Sequence, residues 1–153
     1  MNIKAILIGG FAFYLVTWLV SMVTGPLLHE GLLDAAYRAH PAFWRPELMQ
    51  DPPDLAALMP RWVTTGLILA FVLAALYTRV RPVISGQGWM RGATFGFAVW
   101  VLVAALMATW TGIFNLPDGI WFWWAMEGLA MYVLGGAALA WVADRWAPGA
   151  SNA

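Results

Sequence analysis

The run IWFWWAMEGLAMYVLGGAALAWVA, residues 120–143, decides the fold, because it is apolar over the length that crosses a lipid bilayer. About 20 apolar residues in a helix span the roughly 30 Å hydrocarbon core of a membrane. A single ionisable acid interrupts the run, because Glu127 is its eighth residue. The run therefore predicts a transmembrane helix that carries a carboxylate below the headgroup level.

Three more apolar runs precede this one, at residues 5–25, 62–78 and 92–112. The chain is 62% hydrophobic and 10% charged, whereas soluble domains contain about 25% charged residues. These values predict an all-α membrane protein, a single membrane domain over residues 1–153 with four transmembrane helices. The first run is longer than the apolar part of a signal peptide, so we expect it to be retained as an anchor.

The distribution of basic residues predicts the orientation of these helices. The loop between the second and third runs contains Arg79, Arg81 and Arg91 and no acid. Positively charged residues near helix ends favour the cytoplasmic side. We therefore expect both termini in the cytoplasm of a bacterial cell, the chain in its inner membrane, and residues 26–61 as a long outer loop.

Within that loop, residues 27–39 show helical periodicity and predict an amphipathic helix lying in the membrane interface. Prolines interrupt the rest of the loop, and Asp54 is a candidate N-cap for a short helical turn. His29 and His40 offer metal-binding nitrogens with neighbouring acids, but they lack the spacing of a known zinc motif. We expect no metal and no cofactor, and the absence of cysteine excludes thiolate ligands.

Small residues at regular spacing predict where the helices pack closely. Gly92 and Gly96 begin a four-residue rhythm in the third helix, and Gly128 and Gly135 are candidate counterparts in the fourth. In lipid, such residues let helix backbones approach each other. The sequence favours packing within one chain and leaves packing between chains open.

Glu127 is the main candidate site residue, because a carboxylate at that depth needs a partner, water or a proton. Other polar side chains share the outer halves of the helices and predict an outward-facing polar pocket: Ser21, Thr64, Thr65, Thr109 and Asn115. Arg61, at the start of the second run, is the candidate counter-ion. Three interpretations stay open: a packing residue, a ligand or proton site, and a contact to another subunit.

The stretches GWMRGATFGF, LPDGIWFWWAMEG and GGAALAWV resemble small four-helix bacterial membrane proteins of unknown function. Arg91, Gly92, Phe95, Gly96 and Pro117 carry the resemblance, which covers about 40% of the chain. It implies a four-helix membrane fold and no particular activity.

No nucleophile with a base, phosphate-binding loop or metal motif is present, so we do not expect an enzyme. The sequence favours an accessory or scaffold subunit of a larger membrane complex. The alternative is a small homo-oligomeric transporter or ligand-binding membrane protein that uses the pocket around Glu127. We expect membrane lipid and other membrane subunits, or a second copy of this chain, as partners, and no nucleic acid.

Overall fold

The computed structural model describes residues 2–146, in which five α-helices and several shorter turns account for most of the chain. The helices are α1 (Ile3–Thr24), α2 (Asp34–Arg38), α3 (Leu55–Val80), α4 (Gly88–Trp110) and α5 (Asp118–Ala143). All but α2 are long and apolar enough to cross a membrane. The prediction of an all-helical chain with four such helices is confirmed, and the fold is compatible with an integral membrane protein.

The first long helix does not end near residue 25. It continues as a π-helical segment, Gly25–Leu32, in which the Leu33 N–H donates to the Leu28 carbonyl at 2.8 Å. Pro26 has no N–H to donate, which favours a local change from i→i+4 to i→i+5 bonding. The stretch predicted as a separate interfacial helix is therefore divided between this segment and the five-residue α2.

The helix α3 begins earlier than the apolar run that predicted it. Asp54 caps its first turn by accepting the Ala57 N–H at 3.1 Å, which makes the predicted cap the start of a long helix. Pro60 lies in the second turn, where it removes one backbone bond, and the Thr64 hydroxyl donates to its carbonyl at 2.7 Å. The connecting loop thus ends at residue 54 instead of residue 61.

The four long helices pack in the spatial order α3, α1, α5, α4. The helix α5 packs along α1 on one side and α4 on the other, and α1 packs against α3. A buried cluster that includes Phe13, Leu73, Phe95 and Leu139 joins all four helices. The helix α5 is therefore central and contacts both neighbours that could line a site on it.

Glycines set the distance between α4 and α5. A Cβ added at Gly96 would overlap the Tyr132 carbonyl oxygen, and one added at Gly92 would overlap the Gly136 carbonyl oxygen. Gly135 faces α1, where an added Cβ would lie 2.8 Å from the Phe13 ring. At Gly128 the nearest atom, Cδ1 of Trp100, would be 3.7 Å away. Gly92, Gly96 and Gly135 thus lie at tight helix contacts within the chain, whereas Gly128 has room.

The end of the bundle that carries both described termini is called the terminal end. Here Asn2 donates to the Trp146 carbonyl at 2.5 Å, so the first and last described residues are adjacent. Asp144 lies 3.2 Å from Arg81 and 3.6 Å from Arg91, and its carboxylate accepts the Tyr77 hydroxyl at 3.2 Å. This ionic cluster ties the ends of α3, α4 and α5 together.

Candidate functional site at Glu127

The opposite end of the bundle, called the loop end, comprises the connections at residues 25–54 and 111–117. Glu127 lies nine residues after the start of α5, about 14 Å along its axis from this end. Its side chain is only 10% exposed. The structure thus places a nearly buried carboxylate within the apolar part of the central helix.

Two side chains from the first long helix and its extension bind this carboxylate. The Thr24 hydroxyl hydrogen bonds to Oε1 of Glu127, and Nε2 of His29 lies 3.1 Å from Oε2. Among the described residues, His29 is the basic side chain at ion-pair distance from Glu127. The predicted counter-ion, Arg61, is instead exposed near the start of α3 and is not brought to the site.

The π-helical segment explains how both residues reach one carboxylate. Thr24 and His29 are five residues apart, which in an α-helix would place them about 140° apart around the axis. Winding with i→i+5 bonds brings residues five apart onto the same face. The π-helical segment that begins at Gly25 therefore brings His29 and Thr24 to the face of the helix that meets Glu127 on α5.

Tyr37 and Trp124 extend the network beyond His29. The Trp124 indole N–H donates to the Tyr37 hydroxyl oxygen at 2.8 Å, and that oxygen lies 2.7 Å from Nδ1 of His29. Because indole only donates, the Tyr37 proton is available for Nδ1 when His29 is neutral. Nε2 of His29 then carries the proton that is donated to Glu127, and the donors run in one direction from Trp124 to the carboxylate.

The Tyr37 phenol keeps its proton in this setting. Burial raises the pKa of Tyr37 most, the nearby charge of Glu127 raises it further, and the Trp124 hydrogen bond opposes the shift. If His29 takes a second proton, the Tyr37 oxygen has a second lone pair with which to accept Nδ1–H. Tyr37 therefore supports His29 in both protonation states.

Aromatic packing holds α2 over the end of α5 and so fixes Tyr37. Trp44 lies 4.6 Å from the Tyr37 ring centre and 5.8 Å from that of Trp124, and its indole N–H donates to the Tyr37 carbonyl at 3.1 Å. Beneath them is a second buried cluster: Leu33, Leu116, Ile120 and Trp121. Trp121 and Trp124 of α5 thus pack against the loop in the folded chain.

A groove of about 240 Å³ adjoins Glu127 between α5 and α4. Its lining is mostly apolar and aromatic: Trp100, Val103, Ala104, Met107, Trp124, Ala125, Glu127, Gly128, Met131 and Tyr132. The Trp100 indole N–H is already bonded to the Ala125 carbonyl at 2.7 Å, so that donor is occupied. Glu127 is the one carboxylate of this lining.

The other predicted pocket residues are not assembled around Glu127. The hydroxyls of Thr64, Thr65 and Thr109 are exposed and donate to carbonyls of their own helices. Asn115 is exposed in the turn between α4 and α5, and Ser21 is half-buried on α1. A short hydroxyl side chain can donate its hydrogen bond to a carbonyl of its own helix. It therefore needs no partner on a neighbouring helix, even where it lies at the same depth as Glu127.

The polar residues considered as metal ligands are engaged elsewhere. His40 lies with Nδ1 2.9 Å from the Ala36 carbonyl oxygen, and Asp34 pairs with Arg38 at 2.9 Å. In the part of the chain from 2 to 146, no group of three or more His, Cys, Asp or Glu residues is placed to hold a metal ion.

Sequence reasoning identified Glu127 but missed His29, Tyr37 and Trp124 as its network. The sequence pattern predicts His29 in an interfacial helix over residues 27–39, separate from a first helix that ends at residue 25. The available signal was the Gly25-Pro26 pair followed by a helical pattern, which permits a proline to perturb a continuing helix as well as to end it. Comparisons with protein-family models, curated proteins and solved structures found no match to this chain.

Proposed function

We propose that this chain is an integral protein of a bacterial inner membrane that crosses the bilayer four times, with its loop end outside. The basic residues support this orientation, since Lys4, Arg81, Arg91 and Arg145 all belong to the terminal end. The positive-inside rule then puts both termini in the cytoplasm.

We further propose that its function is non-enzymatic binding of a small apolar ligand that carries one polar group. The observation that supports this is the nearly buried Glu127 beside the groove between α4 and α5. A concave apolar surface with a few polar groups is the usual form of a small-molecule site. An ionisable residue within a membrane span is likewise a functional-site candidate by default.

An accessory-subunit role is the second candidate. Large apolar side chains in the loop half of α4 and in the turn that follows it are exposed, including Leu102 on α4 at 62% and Ile113 in the turn at 73%. A partner helix would cover such a face, but lipid would cover it as well. The mass of the complex extracted in a gentle detergent distinguishes the two, because an accessory subunit co-purifies with other chains in fixed proportion.

The binding proposal is tested with a photoreactive probe in lipid nanodiscs. The probe is a phenyl diazirine that carries one hydroxyl group and a tert-butyl tail, and its sites of attachment are mapped by peptide mass spectrometry. We expect labelling of residues in the groove that saturates and is displaced by the same compound without the diazirine. Ala104→Phe fills the groove and should abolish this labelling.

Ala105→Phe is the matched control, because it adds the same bulk at the next residue of α4, which is exposed. It should leave saturable labelling within about twofold of wild type. Labelling that never saturates, or that Ala104→Phe and Ala105→Phe reduce equally, would refute a binding site in this groove.

A further inference from the structure

We infer that the ligand of this site is a lipophilic monocation, such as a hydrophobic amine or quaternary ammonium compound, which binds in exchange for a proton held by His29 and Glu127. This inference rests on the proposed function, and it adds the charge of the ligand and the way that binding depends on pH.

The first step concerns the balance of charge at Glu127. An uncompensated charge within a membrane span is costly, because lipid cannot solvate it. Among the described residues, only His29 can neutralise Glu127 at ion-pair distance, and it does so only when protonated. Unless another cation is bound, the His29–Glu127 pair therefore needs one proton, on either the imidazole or the carboxylate, in addition to the proton that neutral His29 carries.

The second step concerns what can replace that proton. Glu127 uses one hydrogen bond at each oxygen, to Thr24 and His29, whereas an ionised carboxylate has about four acceptor sites. Its remaining capacity is for a donor or a cation. A bound monocation supplies the missing positive charge, so His29 can return to the neutral form that Tyr37 also supports.

The third step concerns the walls of the groove. Trp100, Trp124 and Tyr132 present three aromatic rings, and Met107 and Met131 add polarisable thioethers. A cation over an aromatic face is attracted by the negative face of the ring, and the attraction strengthens when water is excluded. An anionic ligand would instead meet the carboxylate without a basic residue in the lining. The groove thus favours a cation that is itself largely apolar.

Other titratable groups on the elements around the site are limited. They are Lys4 and Tyr14 on α1, Glu30 beside His29, Asp34, Tyr37 and Arg38 on α2, Arg91 in the first turn of α4, Asp118 and Tyr132 on α5, and Asp144 directly after α5. Asp34 and Arg38 pair with each other, Asp144 is at the terminal end, and α4 has no ionisable residue between positions 92 and 110. The His29–Glu127 pair is therefore the group expected to exchange the proton, which leaves through the partly exposed imidazole.

The test compares two diazirine probes of nearly identical shape, one with a tert-butyl tail and one with a trimethylammonium tail. Affinities are measured by displacement of saturable labelling across a series of pH values. Exchange of one proton requires the affinity for the cation to rise by up to about tenfold per pH unit over the range in which the pair holds its proton. The affinity for the neutral probe should not rise with pH.

Glu127→Gln should weaken the cationic probe by about tenfold or more, abolish its pH dependence, and leave the neutral probe bound. Retained binding of the neutral probe shows that the variant still folds. Glu30→Gln, which removes an exposed acid next to His29, is the control and should behave as wild type. A pH indicator in weakly buffered solution should record about one proton released per cation bound.

The wild-type pH series decides the inference even if Glu127→Gln does not fold. Equal, pH-independent binding of the two probes would overturn the exchange of a cation for a proton and leave the binding site intact. Absence of saturable labelling by both probes would overturn the proposed function itself.

Discussion

Replacing Gly96 by alanine tests the close contact on which the shape of the groove depends. The new methyl group would lie 2.6 Å from the Tyr132 carbonyl carbon, and it would overlap the carbonyl oxygen. Ordinary contact begins at 3.4 Å, so α4 and α5 must separate by about 0.8 Å or more. Because both obstacles are backbone atoms of a helix, no side chain can turn away to make room.

The expected loss of stability comes from the packing and hydrogen bonding that are weakened when α4 and α5 separate. Overpacking a well-packed site costs typically about 1–3 kcal/mol. The Trp100–Ala125 hydrogen bond, now 2.7 Å, would stretch toward 3.5 Å and weaken. A hydrogen bond between helices of a membrane protein contributes roughly 0.6–1.7 kcal/mol to stability. Together these effects predict a loss of about 2–4 kcal/mol in the free energy of unfolding.

The measurement is reversible unfolding in mixed micelles with increasing dodecyl sulfate, followed by tryptophan fluorescence. Gly128→Ala is the matched control, since it adds the same methyl group to the same pair of helices where the nearest atom is 3.7 Å away. We expect the control to remain within about 0.5 kcal/mol of wild type. Equal stability of the two variants would refute the argument that Gly96 sets the separation of the helices.

Three further predictions concern other parts of the chain. Asp144→Asn should lower the free energy of unfolding by about 1–3 kcal/mol, because two arginines lose their shared carboxylate. Asp118→Asn, at the exposed start of α5, is the control and should change it little, so similar losses in the two variants would contradict a specific cluster. In the natural cysteine-free background, a cysteine at Gln50 should react with a membrane-impermeant maleimide in intact cells and one at Ser85 only after permeabilisation; the reverse pattern would invert the proposed orientation. Tyr37→Phe leaves the indole N–H of Trp124 without its acceptor, so proteolytic cleavage within residues 34–54 should become severalfold faster. An unchanged cleavage rate would show that the Tyr37 hydroxyl does not hold the loop.

The parts of the fold that sequence predicted are those governed by composition over a long window. The four apolar runs predicted four long helices, and the spacing of Gly92 and Gly96 predicted close packing. The depth of Glu127 also followed directly from its position in its run. Each of these features depends on a single helix and the lipid around it, so it can be predicted before the neighbouring helices are known.

The missed features depend on single backbone bonds and on the pairing of particular helices. Pro60 predicts a break between a short turn and α3, but the structure has one continuous helix through it. The loss of one backbone hydrogen bond in the second turn costs less than the long apolar helix that follows contributes. No hydrophobic period reveals the π-helical segment that contains Pro26, and in this winding His29, not Arg61, is the partner of Glu127. The sequence supplied the polar groups, but the winding of eight residues determined which of them meet.

The two polar centres of the molecule differ in a way that bears on function. At the terminal end, Asp144 has two arginines at ion-pair distance and also accepts a tyrosine hydroxyl, so permanent cations face its charge. At the loop end, Glu127 faces a histidine, which carries a positive charge only when both ring nitrogens are protonated. A residue that only fixed helix packing would be served best by a permanent partner such as arginine. Glu127 instead has His29 as its partner, a groove beside it, and Tyr37 in position to hydrogen bond with either form of the imidazole. These features together favour a site whose charge changes when a ligand binds.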